Sequence, residues 1–206
     1  MLSFILVVLV LFLIPGPAVL LTVTQAARGG QKAGIVTGAG IAVGDMIHTI
    51  AAVLGLSAIL MTSTLAFEAV KYLGAAYLLF VGVKSFLEKS KQVSETKPKP
   101  NASPAVSFRQ ALLIELLNPK TALFFLAFLP QFVRNDGPPV YLQLLTLGFI
   151  FVLLSILYTT LLSLITSSIG RRMVRKKNSW FHRLQGKVVG MIYIGIGLRL
   201  IMQSQK

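Results

Sequence analysis

The chain has 206 residues, of which 55% are hydrophobic and 13% charged, with a mean hydropathy of +0.78. A soluble domain carries about 25% charged residues, so the composition argues against a soluble fold. The 20 Lys and Arg against 6 Asp and Glu give a net charge of +14, which in so apolar a chain marks a cytoplasmic membrane face rather than a nucleic-acid site. The lack of cysteine excludes disulfides, thiolate metal centres and dithiol redox relays.

Six apolar segments are read at roughly 2–23, 33–62, 65–87, 108–132, 140–169 and 184–202. The first is read as a retained span rather than a signal peptide. No basic residue precedes it, and Pro15-Gly16-Pro17 stands where a small-residue cleavage site would be. The third and sixth are interrupted by charge, at Lys71 and Lys84 and at Lys187 and Arg199. They span only if those long stems reach the two interfaces. Arg28 and Lys32 follow the first segment, Lys84 to Arg109 surround the third loop, and Arg171 to Lys187 fill the fifth. Basic residues gather on the cytoplasmic side, so this alternation puts both termini outside.

The segments fall into halves that echo each other. The first segment of each is broken by proline, at Pro15-Gly16-Pro17 and at Asn118-Pro119-Lys120. The last segments carry matching glycine and tyrosine, Gly74 and Tyr77 against Gly190 and Tyr193. Three spans per half give the second half opposite polarity. The expected fold is therefore an all-α membrane protein of six transmembrane helices, arranged as two inverted three-helix repeats with broken first helices. One transmembrane transporter domain covers 1–206, with repeat 1 at 1–89, a cytoplasmic linker at 90–107 and repeat 2 at 108–206.

Proline lacks an N–H and clashes with the carbonyl four residues earlier, so each break starts a second half-helix. Two such positive ends, aimed at mid-membrane from opposite sides, make a place for a carboxylate. A proline kink satisfied by neighbouring helices is the bland alternative. Beside the breaks lie Asp45 and His48 in segment two, and Glu115 and Lys120 in segment four. A charge at bilayer centre costs about 2.5–3.5 kcal/mol, so these residues need a reason. Asp45 and Glu115 are expected to carry protons or hold a substrate ammonium, while Lys120 and the helix ends hold its carboxylate. An Asp45–Lys120 or Glu115–Lys120 ion pair that merely fixes the bundle is the competing reading. His48 is expected to pack and hydrogen-bond. Segment five offers only Ser155, Tyr158, Thr159 and Thr160 at its centre. Gly34, Gly38, Gly40 and Gly44 allow close helix approach. Their spacing does not fit a dinucleotide fingerprint.

Pro15-Gly16-Pro17, Gly40-x3-Gly44-Asp45, the run Lys71–Leu78, Asn118-Pro119-Lys120 and the run Phe125–Phe132 together resemble the lysine-exporter (LysE/RhtB) family of bacterial amino-acid efflux proteins, in its homoserine/threonine branch. The resemblance covers nearly the whole chain. It implies a proton-driven exporter of small amino acids in the inner membrane. It also places Pro15, Gly16, Pro17, Asn118, Pro119 and Lys120 at the substrate, with Asp45 on a family motif. A divalent-cation exporter of the same superfamily is the alternative. The expected partners are a small amino acid, protons and membrane lipid, with a homodimer as an allowed assembly. No nucleic acid, cofactor or resident metal is expected. An enzyme is not expected, since neither His-Glu-x2-His nor Gly-x-Ser-x-Gly occurs.

Overall fold

A computed structural model describes residues 1–13, 16–62, 103–134 and 136–169, with isolated positions at 72, 76, 79–80, 83, 191, 194–195 and 198. Pro15, most of the third and sixth segments, the linker up to residue 102 and the fifth loop lie outside the described residues.

The described elements are all helical: α1 (Leu2–Leu13), α2 (Pro17–Thr62), α3 (Pro104–Leu116), α4 (Pro119–Leu123) and α5 (Val140–Ile169). Between α4 and α5 come a π-helical turn, Phe124–Phe128, and a 3₁₀ turn, Leu129–Phe132. Helices suit a lipid solvent because each satisfies its own backbone. The fifth apolar segment and α5 coincide at 140–169. α3 begins at Pro104, inside the stretch read as linker. Proline suits the first helical position because its missing N–H would find no intrahelical partner there.

α2 is two helices in sequence rather than one rod. Gly30 has φ 75° and ψ −174°, a backbone region open almost only to glycine. Beyond it the chain doubles back: a Cβ built on Gly34 would lie 2.9 Å from the Ala26 Cβ, whereas a straight helix separates such positions by about 12 Å. Residues 17–29 and 31–62 are therefore antiparallel arms, with Arg28 and Lys32 exposed at the turn.

Close contacts fix the direction of the neighbours. Along the second arm, Gly34 meets Ser163, Gly38 meets Thr159 and Thr49 meets Gly148, so α5 runs antiparallel to it. Gly40 meets Phe108 and Leu112, and Gly44 meets Glu115, so α3 runs parallel to it. The first segment is antiparallel to α3 and α4. Ala18 packs with Ala111, Lys120 reaches Leu11, and Phe4 meets Phe124 and Phe132. An aromatic cluster forms around Phe151, which receives Phe12, Phe124 and Phe125 at centroid distances of 5.1, 5.2 and 4.9 Å. Such pairs each contribute about 0.5–1.5 kcal/mol beyond their buried area.

Polarity is distributed opposite to that of a water-soluble bundle. Thr22, Thr37, Asp45, Glu115, Asn118, Ser155, Thr159 and Ser163 are buried, while Leu145, Phe149, Leu153, Leu157 and Leu161 of α5 are exposed. The buried hydroxyls turn inward to carbonyls of their own helix, Thr22 to Ala18, Thr37 to Ala33 and Thr159 to Ser155. By length and apolarity Val140–Ser168 qualifies as a membrane-crossing helix, Pro17–Leu56 passes the same test although it folds back at Gly30, and Pro104–Leu116 with Pro119–Phe132, bent by 45°, qualifies as one broken span. In the connection before α5, Gln143 accepts from the Arg134 N–H at 2.9 Å and donates to the Arg134 and Pro138 carbonyls. The adjacent Arg134 guanidinium holds the exposed Asp136 carboxyl below the usual carboxylate range.

The chain divides into two compact units, 1–55 with 97–176 and 56–96 with 177–206. The first collects most of segments one, two, four and five. The second holds segments three and six, the corresponding last members of each half. In that second unit Tyr72, Phe80, Val83, Met191 and Leu198 are exposed.

Candidate functional site

The second break is built from a missing hydrogen. In an unbroken helix the Glu115 carbonyl would accept from residue 119, but Pro119 has no N–H to give. Two other donors take its place. Asn118 N–H reaches the Glu115 oxygen at 3.0 Å, and His48 Nε2 donates to the same oxygen at 3.0 Å from the second arm of α2. That bond fixes the tautomer of His48, whose ring also stacks on Phe125. His48 is a structural donor, as its lone position on the helix led one to expect.

Asn118 then caps the helix that follows. Its backbone is extended, Pro119 occupies the first helical position, and its Oδ1 accepts from the Lys120 N–H at 3.1 Å. Its Nδ2 turns the other way, to both Glu115 carboxylate oxygens at 3.2 and 3.3 Å and to Thr121 Oγ1 at 3.1 Å. One asparagine thus ends α3, starts α4 and orients a buried carboxylate.

The first break faces the second. α1 ends at Leu13 and α2 begins at Pro17, with the buried Gly16 between them and its carbonyl accepting from Leu20. Lys120 Nζ donates to the Leu11 carbonyl at 3.2 Å and lies 3.4 Å from where a Gly16 Cβ would stand. The two interruptions therefore meet at Lys120. Pro17 and Pro119 are exposed, each at the first position of its helix. Pro15 lies outside the described residues.

Asp45 completes the cluster. It is 1% exposed and Glu115 2%. The Asp45 carboxyl lies beside Ser155 and Glu115, and its backbone carbonyl accepts from Thr49 at 2.8 Å. Its Oδ2 is buried with no partner. Glu115 comes this close because Gly44 has no side chain: a Cβ there would lie 2.8 Å from Glu115 Cβ. The Lys120 ammonium interacts electrostatically with both acids. Gly16, Asp45, Glu115, Asn118 and Lys120 are thus brought together from three segments, with Ser155 added from a fourth.

A family model for the LysE-type translocators matches residues 9–204. The chain belongs to the LysE family. Its relatives match over nearly their whole length. The chain is 35% identical to the uncharacterized membrane protein YrhP of Bacillus subtilis, over 97% of both chains. It is 31% identical to an uncharacterized membrane protein of Pseudomonas aeruginosa, over 96% of this chain and 93% of the relative. It is 28% identical to the leucine efflux protein of Salmonella typhimurium, over 91% and 88%. No solved structure matches.

In this LysE-family chain one feature of the site and one buried amide elsewhere went unread in the sequence. The pairing of His48 with the Glu115 carbonyl was accessible, because a proline four residues after any carbonyl frees it. Gln25 is different: its Nε2 is buried without a partner, and no spacing signal singles out one glutamine in an apolar segment.

Proposed function

We propose that the protein exports small neutral amino acids across the bacterial inner membrane in exchange for protons, through a six-span inverted repeat with both termini outside. The observation that carries the reading is the meeting of the two helix breaks beside two buried acids. A zwitterion needs an anion and a cation a few ångströms apart in a place shielded from water. The cluster offers the Asp45 carboxyl for the substrate ammonium, and Lys120 with the backbone N–H groups after Gly16 and Asn118 for its carboxylate. Broken helices meeting at mid-membrane are a recurring substrate site in transporters.

The acids divide the work. Both oxygens of Glu115 are held by the Asn118 amide, so Glu115 serves as a fixed countercharge. Asp45 keeps one oxygen without a partner, and this is the carboxyl assigned to bind the ammonium and to accept a proton when the substrate leaves. Each proton moving inward through 100 mV supplies about 2.3 kcal/mol, enough to drive a substantial outward gradient. Asp45→Asn is expected to abolish gradient-driven efflux while leaving the protein in the membrane. Wild-type efflux from loaded proteoliposomes of that variant would remove Asp45 from the mechanism.

The motif resemblance favours homoserine or threonine as cargo, and the printed name of the Salmonella relative favours leucine. Efflux measured against a panel of hydroxylated and aliphatic amino acids discriminates between them. The divalent-cation reading would need His48 as a ligand beside Asp45 and Glu115. Among the described residues no group of three or more His, Asp and Glu side chains is placed to hold a metal ion, which weighs against that reading. Growth rescue in toxic metal rather than in toxic amino acid would decide for the metal.

A further inference from the structure

The carbonyl that Lys120 holds is one that proline has freed. In a continuous helix the Leu11 oxygen would accept from residue 15, and residue 15 is proline, which has no N–H whatever its conformation. Leu11 also lies in the last turn of α1, among the carbonyls that carry the negative end of the helix dipole. A freed carbonyl at a half-helix C-terminus, close to carboxylates, is the kind of oxygen set that coordinates sodium in broken-helix transporters. Here an ammonium stands on it, at 3.2 Å. The charges of Glu115 and Asp45 act on the same ammonium, so it stands on a freed carbonyl within the field of two acids. Gly16 leaves the space around it open, since even a methyl there would touch Nζ at 3.4 Å.

We infer that Lys120 is the resident cation of the first helix break: its ammonium stands where a sodium ion would otherwise sit, pinning the α1 end to the α3–α4 break without any bound metal. The inference deepens the exporter reading, because a covalently attached cation cannot leave with the cargo. Its thermal test does not depend on that reading. A lysine that only clamped the substrate carboxylate would not be interchangeable with a small metal cation.

The test compares unfolding of the purified protein in detergent in sodium chloride and in N-methylglucamine chloride of equal ionic strength, for the wild type, Lys120→Ala and Lys120→Gln. Wild-type melting should be the same in both salts. Each variant should melt lower in N-methylglucamine and recover with sodium in a saturable way, by about 3–6 °C at ten times the dissociation constant. Variants that melt alike in both salts would overturn the inference, as would a wild type stabilised by sodium at concentrations that leave N-methylglucamine without effect. If neither variant folds, the wild-type comparison still decides. Proteoliposomes separate the two readings: no efflux of any amino acid, with the melting pattern as expected, would sink the exporter and leave the resident cation standing.

Discussion

Pro119 takes one hydrogen out of the backbone, and much of the site follows from that loss. The Glu115 carbonyl turns to His48, Asn118 caps the next helix, and the Asn118 amide is left facing the Glu115 carboxylate. Gly44 makes the arrangement possible by leaving room for the glutamate. Gly44→Ala should therefore destabilise the protein by about 1–3 kcal/mol, the usual cost of overpacking. Its methyl would stand 2.8 Å from Glu115 Cβ and 2.9 Å from Cγ. Thermal unfolding in detergent measures the loss, and an unchanged midpoint would show that the glutamate can retreat at no cost. The identities of these residues were legible in the sequence, because charge in an apolar segment is conspicuous. Their partners were less so. Lys120 could be suspected of pairing with an acid, but its bond to a carbonyl on another segment becomes visible only when the two proline breaks are brought side by side.

At the scale of elements, the decisive features are the places where helices stop. α3 and α4 part at Asn118, and α2 reverses at Gly30. The reversal was foreshadowed by Arg28 and Lys32, basic residues of a kind that belong in a cytoplasmic loop. What composition does not say is that one residue makes the turn. Two glycines in α2 separate the possibilities. Gly30→Ala should cost about 1–3 kcal/mol, because alanine must adopt a backbone region that is open almost only to glycine. Gly55→Ala places its methyl in open space and should stabilise the helix by about 0.5–1 kcal/mol. Opposite signs in the two melting shifts are the expected result; equal shifts would mean that Gly30 is not the hinge. The π-helical turn at Phe124–Phe128 had no counterpart in the sequence reading, which ran segment four through it as plain helix. It lies where Phe124 and Phe125 both turn onto Phe151, and the apolar pattern alone does not distinguish such a turn from an α-helical one.

At the scale of the whole molecule, the directions observed within the first unit are those an alternating topology requires. The second arm of α2 runs parallel to α3 and antiparallel to α5 and to the first arm. An odd number of crossings should then separate Lys32 from Asp136. The natural chain has no cysteine, so single cysteines at these positions give a clean readout: Lys32→Cys should react with an impermeant thiol reagent from the cytoplasmic side and Asp136→Cys from the outside. Labelling from one side only would mean that the third segment does not cross. The paired breaks were legible in the sequence because proline and asparagine are loud punctuation in an apolar chain. The side-by-side placement of the two interruptions was an expectation drawn from symmetry, and it is the contact between Lys120 and Leu11 that gives it a physical basis.

The outward rows of leucine and phenylalanine on α5 have a practical corollary. Nothing in those side chains asks for water, so the surrounding acyl chains are as much a wall of this protein as its own helices. Any melting point measured on it belongs to the polypeptide together with its amphiphile coat. Variants must accordingly be ranked within a single coat, and a change of detergent can shift the whole scale without altering one internal contact.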